Sequence, residues 1–362
     1  MTRPILCSLG KLYVLPLVTI LLTSINVYRY GVIEMDLEEK KKELYAKYGM
    51  DKITKLAMHD DADGLTSGVL LTFAFKTEEV TCPEEFGDWA IVPDMGKNLK
   101  VPDACTDMIP KNPDWTGLCI DHHPGHPEPD KRKYKLVWGE VPATLMVYRL
   151  FKEIIPKEHR WKVAIGLVGD GQPELIPSEV WKEYPFLLEN YTTVWDKYGK
   201  LEFSQYPVYM RLSSNINAAC KIPDKWYVAY QVLKASKDPL QILEDPALLT
   251  AKDMIENETK KILRETHAID ISAHFRIWKI ETDYRIERTL AWRSEEASHK
   301  TSLVVNDKSK RMSMRGPLSE FYCEELAKVG YQIHGHPGFA GGRLSQSQDF
   351  MSLYNELRKI RI

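Results

Sequence analysis

Residues 53–64 read ITKLAMHDDADG: a short apolar run, then a turn carrying one histidine and three aspartates, then a glycine from which a helix can leave. Ile53 to Met58 has the length and composition of a buried strand, and Leu65 to Phe75 those of a helix. The same grammar returns downstream. Trp89 to Val92 (WAIV) reads as a strand ending at Pro93-Asp94, and Gly117 to Ile120 (GLCI) as a strand ending at Asp121-His122-His123. A helix from Ala143 to Ile154 follows, then a helical stretch around Trp161 to Val168 that ends at Gly169-Asp170-Gly171. Strands alternating with helices predict an α/β fold built on a parallel sheet with helices on both faces. In such sheets, polar residues at the carboxyl ends of the strands converge on one crevice, the usual ligand site.

Outside this region the texture changes twice. The run from Leu240 to Thr266 reads as a long connecting helix, and a second, smaller α/β lobe begins near Ala273. There FRIWKIE, RTLAWRS, TSLVVND and RMSMRG read as short strands, followed by a helix at Ser319 to Lys328, a glycine-rich segment over 335–342 and a terminal helix at Asp349 to Arg358. Trp278 and Trp292 could stack on bases, although core strand positions are the simpler expectation. At the other end, Leu12 to Tyr28 is apolar but broken by Pro16, Thr19, Thr23, Ser24 and Asn26, and a charged amphipathic helix is expected from Asp36 to Lys47. A spanning helix wants about 20 predominantly apolar residues. The first segment therefore reads either as a membrane tether through residues 12–28 or as an extension upstream of a functional start at Met35. The expected organisation is an N-terminal extension over 1–34, a main domain over 35–215, a helical connector over 216–270 and the smaller domain over 271–362.

Composition excludes whole classes. Hydrophobic residues at 44% and charged residues at 28% over 362 residues are ordinary for a two-domain globular chain, not for a disordered, collagenous or multi-span membrane protein. Lys+Arg 49 against Asp+Glu 51 leaves a formal charge of -2, so any polyanion site must be a local patch. The six cysteines form no C-x-x-C pair, which argues against a cysteine zinc site and for free thiols in a reducing, cytoplasmic setting.

The chemistry lies in four segments: His59-Asp60-Asp61-Ala62-Asp63-Gly64, Asp94, Asp121-His122-His123 and Asp170. Residues two apart on an extended stretch point the same way, so His59, Asp61 and Asp63 can face one cavity. Taken singly, DADG is a common turn or cap sequence, and Asp94 and Asp170 are ordinary turn residues. Two adjacent imidazoles beside a carboxylate have no packing rationale. Carboxylates gathered in one crevice would raise one another's pKa. A pair of divalent cations, with one carboxylate shared, removes that cost, and the donor set suits Mn²⁺, Mg²⁺ or Zn²⁺. Such a pair clamps the attacking and leaving oxygens of a phosphoryl displacement, and no protein nucleophile is required. The chain contains no Walker A loop, no G-x-S-x-G elbow and no H-E-x-x-H motif.

In this order the segments resemble the motifs of the DHH phosphoesterase superfamily: HDDADG the first, Asp94 the second, the DHH triplet at 121–123 the third and Asp170 the fourth. RLSSNINAACKI over Arg211 to Ile222 is similar to the Asn-Ala-Ala-Gly-Arg segment of RecJ-type nucleases at Asn217, Ala218 and Ala219, with Cys220 and Lys221 in place of Gly and Arg. Ser313 to Gly316 and Gly335 to Gly342 resemble a DHHA1 substrate-binding domain, with Ile333 and His334 replacing the first glycines of its run. The resemblance implies a DHH domain joined by the connector to a DHHA1-like domain. It implies two divalent ions, Mn²⁺ first and Mg²⁺ as the alternative. His59, Asp61 and Asp94 would hold one; Asp63, Asp94, His122 and Asp170 would hold the other. His123 would face the scissile phosphate, with Asp121 orienting an imidazole. Arg315, Gly335, His336, Gly341, Gly342 and Asn217 would bind substrate. The implied activity is a phosphodiesterase working from one end of single-stranded nucleic acid or short oligonucleotides. The alternatives are a cyclic-dinucleotide or mononucleotide phosphatase, and a non-catalytic nucleic-acid or replisome binding module. A homo-oligomer is compatible with the sequence and not implied by it.

Overall fold

The computed structural model describes residues 46, 53–75, 77, 79–82, 102–110, 112–189, 206–336 and 338–360. The expected strand at Trp89 to Val92, Asp94, the apolar run over 12–28 and nearly all of the Asp36 to Lys47 helix lie outside the described residues. Among the described residues, no helix is long and apolar enough to cross a membrane.

The first lobe is organised by five parallel strands in the order β2-β1-β3-β4-β5: β1 Lys55–Met58, β2 Glu79–Thr81, β3 Ala104–Thr106, β4 Leu118–Asp121 and β5 Lys135–Trp138. The direction of strand succession reverses between β1 and β3, and a parallel sheet opens its ligand crevice at such a reversal. Helix α1 (Ala62–Phe75) leaves directly from the end of β1 and is buried along almost its whole length. Its neighbours are α2 (Ala143–Phe151) and α3 (Val163–Gly169), the latter preceded by a 3-10 turn at Lys157–Lys162, and the short α4 (Ser178–Glu183) follows. Gly64 is required where α1 starts. A Cβ there would lie 2.3 Å from the His59 carbonyl oxygen, so the helix could not sit this close to the turn.

The connector is four helices: α5 (Val208–Cys220), α6 (Trp226–Ala235), α7 (Pro239–Leu243) and α8 (Pro246–Glu265). The long helix expected from Leu240 is divided because Asp245 accepts from the Ala247 and Leu248 N–H groups and, with Pro246 behind it, starts a new helix. Residue 215, the expected end of the first domain, falls inside α5.

The second lobe is a mixed six-stranded sheet in the order β10-β11-β9-β8-β7-β6. Its strands are β6 Ile269–Asp270, β7 Phe275–Ile280, β8 Thr301–Asn306, β9 Arg311–Arg315, β10 Gln332–His336 and β11 Phe339–Arg343. Only β7 and β8 run parallel among its pairs, and α9 (Glu287–Ser298) makes the crossover between them. RTLAWRS, expected as a strand, is therefore helical. Ile286, Leu290, Ala291 and Ser294 recur at helical spacing and are buried, and this periodicity outweighs the two-residue alternation of so short a segment. Helices α10 (Ser319–Lys328) and α11 (Phe350–Lys359) close the lobe. One apolar core runs from the first lobe through the connector to Trp278, Ile280, Ile286 and Leu290, while the outer part of the second sheet has its own core around Phe275, Leu303 and Met314.

Because backbone, not a flexible side chain, meets the added methyl, Gly64→Ala should destabilise the protein by about 1–3 kcal/mol. It should also weaken any response to a divalent cation, since the clash displaces His59, one of the donors of the acidic turn. Thermal unfolding with and without Mn²⁺ measures both.

Candidate metal centre

Each acid-bearing segment is placed by the backbone group that follows a strand or starts a helix. The Asp61 carboxylate accepts from the Gly64 N–H at 2.9 Å and so caps α1, leaving its other oxygen 2.9 Å from His59 Nδ1. Asp63, fully buried, accepts from the first N–H groups of α2, Ala143 at 2.9 Å and Thr144 at 3.0 Å. Asn217 on α5 accepts from the Ala62 N–H at 3.0 Å. The residue expected to touch substrate thus fixes the turn that carries three of the acids, although it also borders the cleft.

The central acid is Asp107. It follows β3, has φ 59, and anchors its N–H on the Ile120 carbonyl at 2.9 Å. One carboxylate oxygen lies 3.4 Å from His59 Nδ1 and the other 3.2 Å from His122 Nε2. His122 Nε2 is also 3.2 Å from Asp170 Oδ2 and 3.9 Å from Asp63 Oδ2. Asp107 thus stands between His59 and His122, while Asp94, the acid that sequence reasoning puts in the bridging place, lies outside the described residues. The signal of Asp107 is faint, because β3 is only Ala-Cys-Thr and the acid that ends it looks like a loop residue. His59, Asp61, Asp63, His122 and Asp170 come together around it as expected.

His123 stands beside this cluster with 43% of its side chain exposed, and its Nδ1 is 2.8 Å from Asp121 Oδ1. The other Asp121 oxygen is 2.8 Å from His126 Nε2, whose Nδ1 is 2.9 Å from the Tyr134 hydroxyl. His126 is thus the strut that holds Asp121. Its signal is the spacing DHHPGH, where Gly125, with φ 100, turns the chain so that a histidine five residues on returns to the aspartate.

The electrostatics show what the cluster lacks. Burial, then Asp63 and Asp61, push the Asp107 carboxyl well above its usual range, and burial with Asp63 and Asp107 raises Asp170 to about 9. Burial also raises Asp63. Against burial, Asp61 and Asp107 hold His59 well above an ordinary imidazole, and His59 with the Gly64 N–H and Arg288 keeps Asp61 well below the carboxylate range. His59 Nδ1 and Asp107 Oδ1 are buried and, close as their neighbours lie, neither is aligned in a hydrogen bond. Three sets of donors, Asp107–Asp121–His122–His123, His59–Asp61–Asp107 and Asp63–His122–Asp170, each bring their ligand atoms within 4.8 Å of one another. Orphaned donors aimed at a shared point, in a site of mixed imidazole and carboxylate, fit divalent cations.

The cluster opens into a cleft of about 1170 Å³ between the lobes. Arg285, Arg288, Arg293, Arg311, Arg315 and Arg343 line its far wall. Arg285 pairs with Asp60, tying the second lobe to the acidic turn. Arg315 donates to the Met314 carbonyl at 2.6 Å and lies over the Phe339 ring. The expected glycine nest takes another form. Gly341 and Gly342 are on β11, an interior strand whose peptide groups serve the ladders to β10 and β9. A Cβ on Gly342 would lie 2.0 Å from the Gln332 carbonyl oxygen, so strand packing is what requires glycine there. Gly335 and His336 lie on β10; the side chains over 334–336 are outside the described residues.

This is the fold of the DHH-domain proteins. The chain is similar to RecJ from Thermus thermophilus in complex with Mn²⁺, at 16% identity and TM-score 0.64 over 89% of this chain and 54% of that one. It is also similar to an exonuclease RecJ bound to manganese (16% identity, TM-score 0.54, 89% and 92% covered) and to CDC45 from Entamoeba histolytica (9%, 0.53, 90% and 98%). The chain spans about half the length of the Thermus RecJ. No protein-family model and no curated protein sequence matches it.

The charges make two outcomes measurable. An acid whose pKa rises on folding destabilises the fold once pH exceeds its unfolded value near 3.8, and increasingly so until the folded value is passed. Asp107→Asn should therefore raise the melting temperature of the metal-free protein at pH 7 and remove any further rise on adding a divalent cation, with Mn²⁺ as the probe. His126→Phe should leave Asp121 held by His123 alone and lower the melting temperature by about 2–4 °C, with the response to added Mn²⁺ the same as that of the wild type.

Proposed function

We propose that the protein is a divalent-metal-dependent phosphodiesterase that releases nucleotides from an end of single-stranded nucleic acid or of short oligonucleotides. The observation that carries this reading is the meeting, across one cleft, of a buried carboxylate–imidazole cluster and a wall of arginines. His59, Asp61 and Asp107 would hold one cation, and Asp63, Asp107, His122 and Asp170 a second. Bound there, Mn²⁺, or Mg²⁺ as the alternative, would polarise a phosphoryl oxygen and bring the pKa of a water near neutrality.

The chain's own groups do the rest. Burial alone would lower the His123 pKa, but the bond to Asp121 and the charge of Asp107 raise it. The carboxylates thus favour the imidazolium form, with Nδ1 engaged by Asp121 and the ring bordering the cleft. From there it can donate a proton to the departing alkoxide. Arg315 presents a delocalised cation to a phosphate while its bond to the Met314 carbonyl fixes its direction. The second lobe, drawn to the first by Arg285 and Asp60, would cover the strand terminus. The manganese in the RecJ structures supports the choice of ion.

Full-length protein with Mn²⁺, offered 5′- and 3′-labelled single strands, dinucleotides and cyclic dinucleotides, should shorten labelled strands from one end. Asp170→Asn should lower that rate by at least the roughly 10- to 100-fold that the loss of a ligand's supporting partner costs. Turnover of cyclic dinucleotides alone would replace this reading with the cyclic-dinucleotide one, and turnover of none would remove the enzyme.

A further inference from the structure

The cleft face of α9 carries a feature that metal chemistry does not use. Arg288, Thr289, Trp292 and Arg293 follow helical i, i+4 spacing and all border the cleft, while Leu290, Ala291 and Ser294 on the opposite face are buried. Trp292 is 53% exposed, the largest apolar ring presented to this otherwise basic wall. Phe339 and Trp278 do not share its situation: the Phe339 ring lies beneath Arg315, and Trp278 is buried with its indole N–H on Ser294 Oγ at 2.8 Å. Among the described residues, Arg288 and Arg293 make no hydrogen bond or ion pair, whereas Arg285 and Arg315 are committed to protein partners. Lys221 donates to Thr289 Oγ1 at 2.8 Å, fixing the middle of the face.

We propose that this face is a nucleotide subsite, with Trp292 stacking on a nucleobase and Arg288 and Arg293 taking the phosphates on either side of it. An exposed indole gains nothing from a phosphate, whereas every base offers a π-face to stack on. An all-arginine wall would serve inorganic polyphosphate equally well; the tryptophan between two uncommitted cations selects a polyanion that carries bases. Arg288 and Asp61 border the same cleft, so the subsite adjoins the acid cluster. The substrate is accordingly a strand longer than one nucleotide, read by stacking and charge with little base preference. This inference rests on the phosphodiesterase reading above and adds the residues that choose the substrate class.

The test uses the full chain with Mn²⁺ and a fluorescent, 5′-phosphorylated thymidine tetranucleotide whose phosphorothioate links resist hydrolysis. Anisotropy compares it with the same backbone carrying abasic sites, and inorganic tripolyphosphate serves as competitor. Wild type should bind the thymidine strand about tenfold or more tighter than the abasic strand, the scale of one stacked base. In Trp292→Ala the ratio should fall to near one, and Trp292→Phe should restore most of it. Arg288→Ala and Arg293→Ala should weaken both strands together and leave the ratio alone. A wild-type ratio near one, or a ratio unchanged in Trp292→Ala, overturns the subsite even where labelled strands are still cleaved. Hydrolysis of tripolyphosphate in place of any strand overturns both this subsite and the phosphodiesterase reading.

Discussion

Aspartates that follow β1, β3 and α3 converge on one buried site, and their mutual repulsion there is the constraint on which the rest turns. Burial and their neighbours push the Asp107 and Asp170 carboxyls upward, so ionising both in this site is costly. Buried groups that lack partners cost about 1–3 kcal/mol each. A fold that assembles such a cluster from distant segments gives up stability in the metal-free state, and divalent cations return it on binding. The centre is therefore held in place by elements that do not depend on it.

Those elements are helix ends and close packing. Asp61 caps α1 and Asp63 caps α2, so each acid has a structural partner of opposite polarity whether or not a cation is present. Gly166 lets α3 pass so near that an added Cβ would lie 2.2 Å from Thr144 Oγ1 and 3.0 Å from Asp63 Oδ1. That approach brings Asp170, just past the end of α3, to the cluster. Asn217 then pins the acidic turn from α5. The order of the sheet places His59 and Asp107 on either side of the point where strand succession reverses, and the centre sits there for a topological reason.

Much of this is legible in the sequence, because strand-end polar residues after apolar runs are a strong pattern. The parallel sheet, the turn over 59–64 and the DHH triplet can be read in that way, and Asp170 as the acid between two glycines at a helix end. Three things cannot. Asp107 follows a strand of three small or polar residues, too short to show a period. Helix α9 reads as a strand because its apolar positions, Leu290 and Ala291, are adjacent, and the partner Ile286 lies just before the segment quoted. His126 becomes a support only because Gly125 turns the chain back, which is a three-dimensional fact. Each miss lies where long-range packing, not local propensity, decides the outcome.

The two walls of the cleft explain why a near-neutral chain can serve a polyanion. The formal charge of -2 averages an acidic cluster on one lobe with arginines on the other. Separately, each wall would be costly: the acids repel one another, and the arginines depress one another, as burial and Arg311 with Arg343 do for Arg285. Facing one another across solvent they create a field directed from one lobe to the other, and a phosphate chain with cations at its end fits that field along its length. The direct tie from Arg285 to Asp60 joins the walls beside the cluster without filling the cleft, so the acidic turn and the arginine wall keep a fixed register while the space between them stays open to a strand.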